Sequence, residues 1–175
     1  MARLVTPSKR YWNSYRRALA GFHAEKRFLR QDTPRLLKDP AGYLRALRDE
    51  ARGVHLPPGW VPATTYWLVE EGTFIGRVTI RHRLNAYLRD EGGHIGYAVR
   101  ASKRRKGYGT QLLRRALAKA AAMGLKRVLV TCDDTNVGSR KIIEANGGVL
   151  ENRKRAASGV LKRRYWIRIH AKTRK

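Results

Sequence analysis

The run Val99-Arg-Ala-Ser-Lys-Arg-Arg-Lys-Gly-Tyr-Gly-Thr110 holds the residue types that an anion site needs. Gly107 and Gly109 let the backbone turn tightly and come close to a ligand. A helix starting there would aim its first, unpartnered N–H groups outward at the positive end of its dipole. Arg104, Arg105 and Lys106 add side-chain charge at the same spot, so a pyrophosphate would satisfy both sets. Gly-x-Gly before a helix is unspecific by itself, because a plain strand-to-helix turn reads the same way. The dinucleotide fingerprint needs a third glycine where Leu112 stands, and the P-loop needs Gly-Lys-Ser/Thr, which is absent.

The elements that must position this loop follow from periodicity. Tyr11, Trp12, Tyr15, Ala18, Leu19 and Phe22 recur at helical spacing, with Arg16, Arg17 and Lys26 between them, which describes an amphipathic helix with a basic outer face. Asp39-Pro40 reads as an N-cap and first-turn proline, Tyr43, Leu44, Leu47 and Ala51 as a buried stripe, and Gly53 as the stop. His55 to Ala63 is a proline-rich loop. Thr65–Glu70 and Phe74–Arg81 then form a hairpin about Glu71-Gly72. Leu84 to Gly93 is an irregular or short helical link, and His94–Arg100 is the next strand. Gly107–Met123 is a helix closed by Gly124, and Arg127–Cys132 is a strand apolar on both faces. Asn136–Ala145 is a shorter helix, and Val149–Arg153 with Val160–Ile169 close the fold as strands. Strand, helix and strand around Gly107–Met123 require a parallel pair and a right-handed crossover. The fold class is α+β in one domain, 1–175: a mixed, mostly antiparallel central sheet, flanking helices and a helical N-terminal segment, 1–53.

A chain of 175 residues with 42% hydrophobic content can bury a proper core. Thirty-nine Lys and Arg against 13 Asp and Glu give a net charge of +26. Such a field attracts nucleic acid, anionic membrane, acidic protein or a phosphorylated cofactor. No apolar run is long enough to span a bilayer, and no signal peptide is evident. The lone Cys132 cannot form an internal disulfide, and no Cys/His cluster has zinc-ligand spacing, so a cytoplasmic, metal-free protein is expected.

Arg104-Arg105-Lys106-Gly107-Tyr108-Gly109 resembles the Arg/Gln-x-x-Gly-x-Gly/Ala signature of the GNAT superfamily of N-acetyltransferases. Gly93-His-Ile-Gly-Tyr-Ala-Val99 is similar to that family's fourth strand, and Asn136-Val-Gly-Ser139, with the helix that runs to Gly148, resembles its motif B. Arg164-Tyr-Trp-Ile167 and Ile80-Arg-His-Arg-Leu-Asn85 look like one branch of bacterial acetyltransferases. The resemblance spans roughly residues 64–169 and covers residues 1–53 only loosely.

It implies acetyl-CoA as cofactor, with splayed parallel central strands, and a pantetheine arm paired like an extra strand with Tyr97, Ala98 and Val99. The pyrophosphate would take backbone N–H groups from Arg105 to Thr110, Tyr108 among them, with the Thr110 hydroxyl as a further donor. Asn136 would bond the arm or a water. Ser139 would bond the cofactor or cap its helix. Direct attack by an amine acceptor in a ternary complex needs a base, an oxyanion donor and a proton for the leaving thiolate. Many relatives carry the acid as a tyrosine in the motif B helix, and Arg140–Asn146 contains none. Water, Tyr97 or Tyr165 would then serve as the acid. His94, where relatives often carry glutamate, is the favoured base, against a plain strand histidine. His82 competes, with Arg81 and Asn85 lining the acceptor groove. Cys132 reads as core and not as an acyl carrier.

The phosphates of CoA account for few of the cations. The rest lie on the first helix, in Arg153–Arg164 and in the tail Arg168–Lys175, so an acidic or RNA-bound partner is one expectation. The alternative function is a nucleic-acid-binding protein on a GNAT-like scaffold, offering Tyr11, Trp12, Tyr15 and Arg16 as stacking and basic groups.

Overall fold

The computed structural model of the chain describes residues 1–26 and 38–169. The elements are β1 (Arg3–Val5), a 3-10 turn (Lys9–Tyr11), α1 (Trp12–Ala24), α2 (Pro40–Arg52), β2 (Ala63–Glu70) and β3 (Thr73–Arg81). A π-turn (Leu88–Gly92), β4 (Ile95–Val99), α3 (Tyr108–Ala122), β5 (Arg127–Asp133), α4 (Val137–Glu144), β6 (Val149–Arg155) and β7 (Leu161–Arg168) follow. The basic tail beyond Ile169 lies outside the described residues.

Instead of one mixed sheet there are two antiparallel ones, β1-β2-β3-β4 and β5-β7-β6. They meet where β4 and β5 begin. His94 N–H donates to Leu129 O at 2.7 Å, and Leu129 N–H donates to His94 Nδ1 at 2.9 Å. His94 immediately precedes β4 and Leu129 is the third residue of β5, so the two sheets touch near the N-terminal ends of both strands. Beyond this point β4 pairs with β3 and β5 with β7, leaving a gap between them. Gly93 permits the close approach: its φ is +61°, and a Cβ there would lie 2.6 Å from Leu129 O.

Alternation along β2 and β3, reset by the register shift at Leu68/Val69 that skips Ile75, decides what each sheet face covers. Val78 and Ile80 face α3 and join Leu112, Leu113, Ala116, Ala120, Val128 and Val130 in one core. Trp67, Val69, Phe74 and Ala98 face the other way and pack under α1 and α2 with Tyr15, Leu19, Phe22 and Leu44. Tyr15 stacks on Trp67 with centroids 4.4 Å apart and meets Phe74 edge-on at 5.2 Å. The α1 aromatics Tyr11, Trp12 and Tyr15 are buried, so they offer no stacking surface for bases, contrary to the nucleic-acid alternative. The strand β1 is missing from the sequence reading, because three residues are too few to show a period. It pairs Arg3 with Val69 and Val5 with Trp67.

Candidate active site

Residues Val99 to Thr110 form the expected turn into α3. Arg105 (φ 57°) and Gly107 (φ 75°) take left-handed conformations, and no side chain caps the helix. A Cβ on Gly107 would meet nothing within 4 Å, so this face of the turn is open. Gly109 has a different reason: a Cβ there would lie 2.5 Å from Ile142 Cδ1, so its absence lets α3 pack on α4. Arg105 and Lys106 are exposed beside the helix start.

Arg104 departs from expectation. Its Nη1 and Nη2 donate to the two Glu25 carboxylate oxygens at 2.9 and 2.6 Å, and its Nε donates to Val99 O at 2.9 Å. It braces the loop against the end of α1, its guanidinium engaged by the Glu25 carboxylate. Tyr108 is likewise engaged, its hydroxyl donating to Glu70. That bond, with the N-terminal amine and Lys103 nearby, holds the Glu70 carboxyl below the usual range despite some opposing desolvation.

Across the gap, Tyr97 OH lies 3.0 Å from Ser139 Oγ. Asn136 caps α4, its Oδ1 accepting from Ser139 N–H at 2.9 Å, so the capping role considered for Ser139 belongs to Asn136. Burial pushes the Tyr97 phenol up to about 12, although the Ser139 hydrogen bond acts the other way. Tyr97, Ala98 and Val99 border the gap from β4, and Thr110 sits in the first turn of α3.

His94 is buried. Its Nδ1 accepts from Leu129 N–H, which leaves the proton on Nε2 and no lone pair for a substrate proton. Burial, then the charges of Arg89, Arg81 and Arg127, hold its pKa down at about 4. His94 is thus a brace between strands, and the base role expected for it has no geometric support. His82 Nε2 lies 2.8 Å from Thr64 Oγ1, and partial burial lowers its pKa. Of its two expected neighbours, Arg81 and Asn85 do line a cavity, and His82 does not.

That cavity, about 1270 Å³, lies on the α2 side of the sheet. Its floor is Arg77, Thr79 and Arg81 of β3 with Gly96 and Ala98 of β4, where Arg77 pairs with Ala98 and Thr79 with Gly96. Its walls are Tyr43 and Glu50 of α2 and Trp60 of the following loop. Arg81 Nη1 donates to Gly92 O and Gly93 O at 2.9 and 3.0 Å, fixing the π-turn at its rim. Sequence reading missed Glu50, because its neighbours across the cavity come from strands that pattern alone cannot place. No group of three or more His, Cys, Asp or Glu side chains suited to a metal occurs among the described residues.

A two-sheet fold split at β4 and β5, with an uncapped basic turn on one side and an open cavity on the other, defines an acyl-transferring enzyme class. Residues 17–149 match the family model of the acetyltransferase (GNAT) domain, and the chain belongs to this family. The match takes in the later part of α1 and all of α2, which the motif resemblance covered only loosely. RimJ of Mycobacterium smegmatis, solved with CoA-disulfide, superposes with a TM-score of 0.73 at 21% identity, covering 99% of this chain and 85% of that one. The microcin C7 self-immunity acetyltransferase MccE, solved with acetyl-CoA and AMP, gives 0.69 at 17%, covering 96% and 92%. RimL, a ribosomal L7/L12 α-N-protein acetyltransferase solved with coenzyme A, gives 0.68 at 16%, covering 96% and 94%. No curated protein matches the chain. No described helix is long and apolar enough to cross a membrane.

Proposed function

We propose that the chain moves the acetyl group of acetyl-CoA onto a primary amine by direct attack, with both substrates bound together. One observation carries this reading: the gap between β4 and β5 opens beside the uncapped start of α3, while β4 also floors the cavity on its other side. Tyr97 to Val99 have backbone groups along the gap for an extended pantetheine arm. The α3 N–H groups, with Arg105 and Lys106, suit a pyrophosphate. Open space at Gly107 admits it.

The thioester, when bound, supplies the electrophilic acetyl carbon. Tyr97 keeps its proton throughout the physiological range and can donate a hydrogen bond to the departing sulfur. A thiol titrates near 8.5, so full transfer from a phenol near 12 would be uphill by about 5 kcal/mol. Tyr97 therefore stabilises the thiolate, and solvent completes its protonation. Asn136 and Ser139 fix the α4 end against which Tyr97 is held. Cys132 stays a thiol, since burial raises its pKa to about 11, which favours direct transfer over an acylated cysteine.

Titration of acetyl-CoA by calorimetry at two salt concentrations, beside Gly107→Glu, tests the reading. Salt-sensitive binding that the variant loses supports it, and absence of binding by the wild type at either salt overturns it. Thiol release with an amine panel follows.

A further inference from the structure

Glu50 is singular among the described carboxylates. Glu25, Asp39, Asp49, Glu70 and Asp90 each hold a hydrogen bond or ion pair. So do Glu91, Asp133, Asp134, Glu144 and Glu151. Glu71 sits exposed in the β2–β3 turn. Glu50 lines the cavity from α2, and among the described residues it has neither a hydrogen-bond nor an ion-pair partner.

From this placement we propose that Glu50 is the catalytic base, and that its acceptor is an α-amine at the end of a peptide. The inference rests on the acetyltransferase reading of the same site. The amine nitrogen bonds to the acetyl carbon as the carbon–sulfur bond breaks. The nitrogen's proton goes to the Glu50 carboxylate, and sulfur leaves with the electron pair of the broken bond and takes a solvent proton.

The groups facing Glu50 fit this role. Arg77 and Arg81 of β3 oppose the cost of burying its charge. Tyr43 and Asp49 share its helix, with Asp49 held by Arg52, and Lys26, His55, Tyr87 and Tyr97 complete the titratable walls. Burial still outweighs the two arginines, so the Glu50 carboxyl sits above the usual range and is a better base than a surface glutamate. Cationic walls disfavour an ammonium and favour the neutral amine. At pH 7 about one α-amine in seven is neutral, against roughly one lysine in 2,500, so a carboxylate base suits the α-amine. An open cavity of about 1270 Å³ leaves room for the chain behind it.

The probe is a hexapeptide with an N-terminal serine, set against an Nα-blocked peptide carrying one lysine. Glu50→Gln should lower kcat for the serine peptide by roughly 10² or more while the acetyl-CoA Kd stays within twofold. Glu50→Asp should retain part of the activity. Below both pKa values, log kcat/KM for the wild type should rise with pH at a slope near two, and that of Glu50→Gln near one. Turnover by Glu50→Gln within threefold of wild type overturns the base role, and a preference for the lysine peptide overturns the α-amine. Loss of acetyl-CoA binding by the wild type would sink the underlying reading instead. If binding stands and neither peptide reacts, the α-amine peptide assignment falls. Carboxyl NMR of the labelled, acetyl-CoA-bound protein then decides the base: a Glu50 midpoint at or below about 4.5 overturns it.

Discussion

The Arg104 guanidinium grips the Glu25 carboxylate with two hydrogen bonds, of 2.9 and 2.6 Å, and so ties the basic turn before α3 to the C-terminal end of α1. Lys26, the next residue, lines the cavity proposed for the acceptor. One ion pair therefore spans the two halves of the proposed site.

Because Arg104 works through Glu25, Arg104→Gln and Glu25→Gln should weaken acetyl-CoA binding by similar, modest factors, and the double variant should be little worse than either. Both side chains are about one-third exposed, so the stability cost of each change should stay near 1 kcal/mol or below. Calorimetric Kd values around the cycle check this. A loss for Arg104→Gln far beyond that for Glu25→Gln would return Arg104 to the phosphates.

Tyr97→Phe removes the donor to the departing sulfur and leaves the ring in place. The expected result is a fall in kcat of about tenfold or more with the acetyl-CoA KM nearly unchanged. Steady-state thiol release measures both. Equal kcat would leave solvent as the sole proton source.

His94 is buried neutral, with a folded pKa near 4 against about 6.5 when unfolded. The unfolded chain thus binds the proton first as pH falls. The stability tied to the neutral ring is complete above pH 6.5 and is lost progressively toward pH 4, by an amount on the order of 2 kcal/mol. Thermal unfolding at pH 7 and pH 5 should show a larger drop for the wild type than for His94→Gln. At pH 7, His94→Gln should itself be the less stable protein, since it breaks the 2.9 Å bond to Leu129 N–H at the strand junction. Parallel drops would count against the buried neutral ring.

The basic β6–β7 run is largely spent within the fold. Arg153 and Arg163 pair with Asp134, Lys154 with Asp90, Lys162 with Asp133, and Arg164 with Glu151. Replacing Lys162, Arg163 and Arg164 together by alanine should therefore lower Tm, with little change in affinity for RNA. Melting curves and a filter-binding titration at fixed salt separate the two. A large loss of RNA affinity with unchanged Tm would revive the nucleic-acid reading.

Local chemistry determined much of this protein. Period 3.6 placed α1, α2 and α3 within a few residues, because one apolar stripe per helix is a property of consecutive positions. Asp39-Pro40 and Gly53 marked the ends of α2, where Asp39 Oδ1 accepts from Gly42 N–H and Gly53 takes φ 74°. The Gly107 turn was legible because left-handed backbone and an uncapped helix start are written in adjacent residues. What the tertiary structure decided was which side chains meet across elements. Arg104 faces the Glu25 carboxylate, 79 positions away. His94 spends its lone pair on Leu129, 35 positions on. Glu50 is set apart only because β3 brings two arginines to it and because the other described carboxylates, exposed Glu71 aside, find partners elsewhere. A side chain's role as acid, base or brace depends on burial and on its neighbours in space, and neither is a function of spacing along the chain.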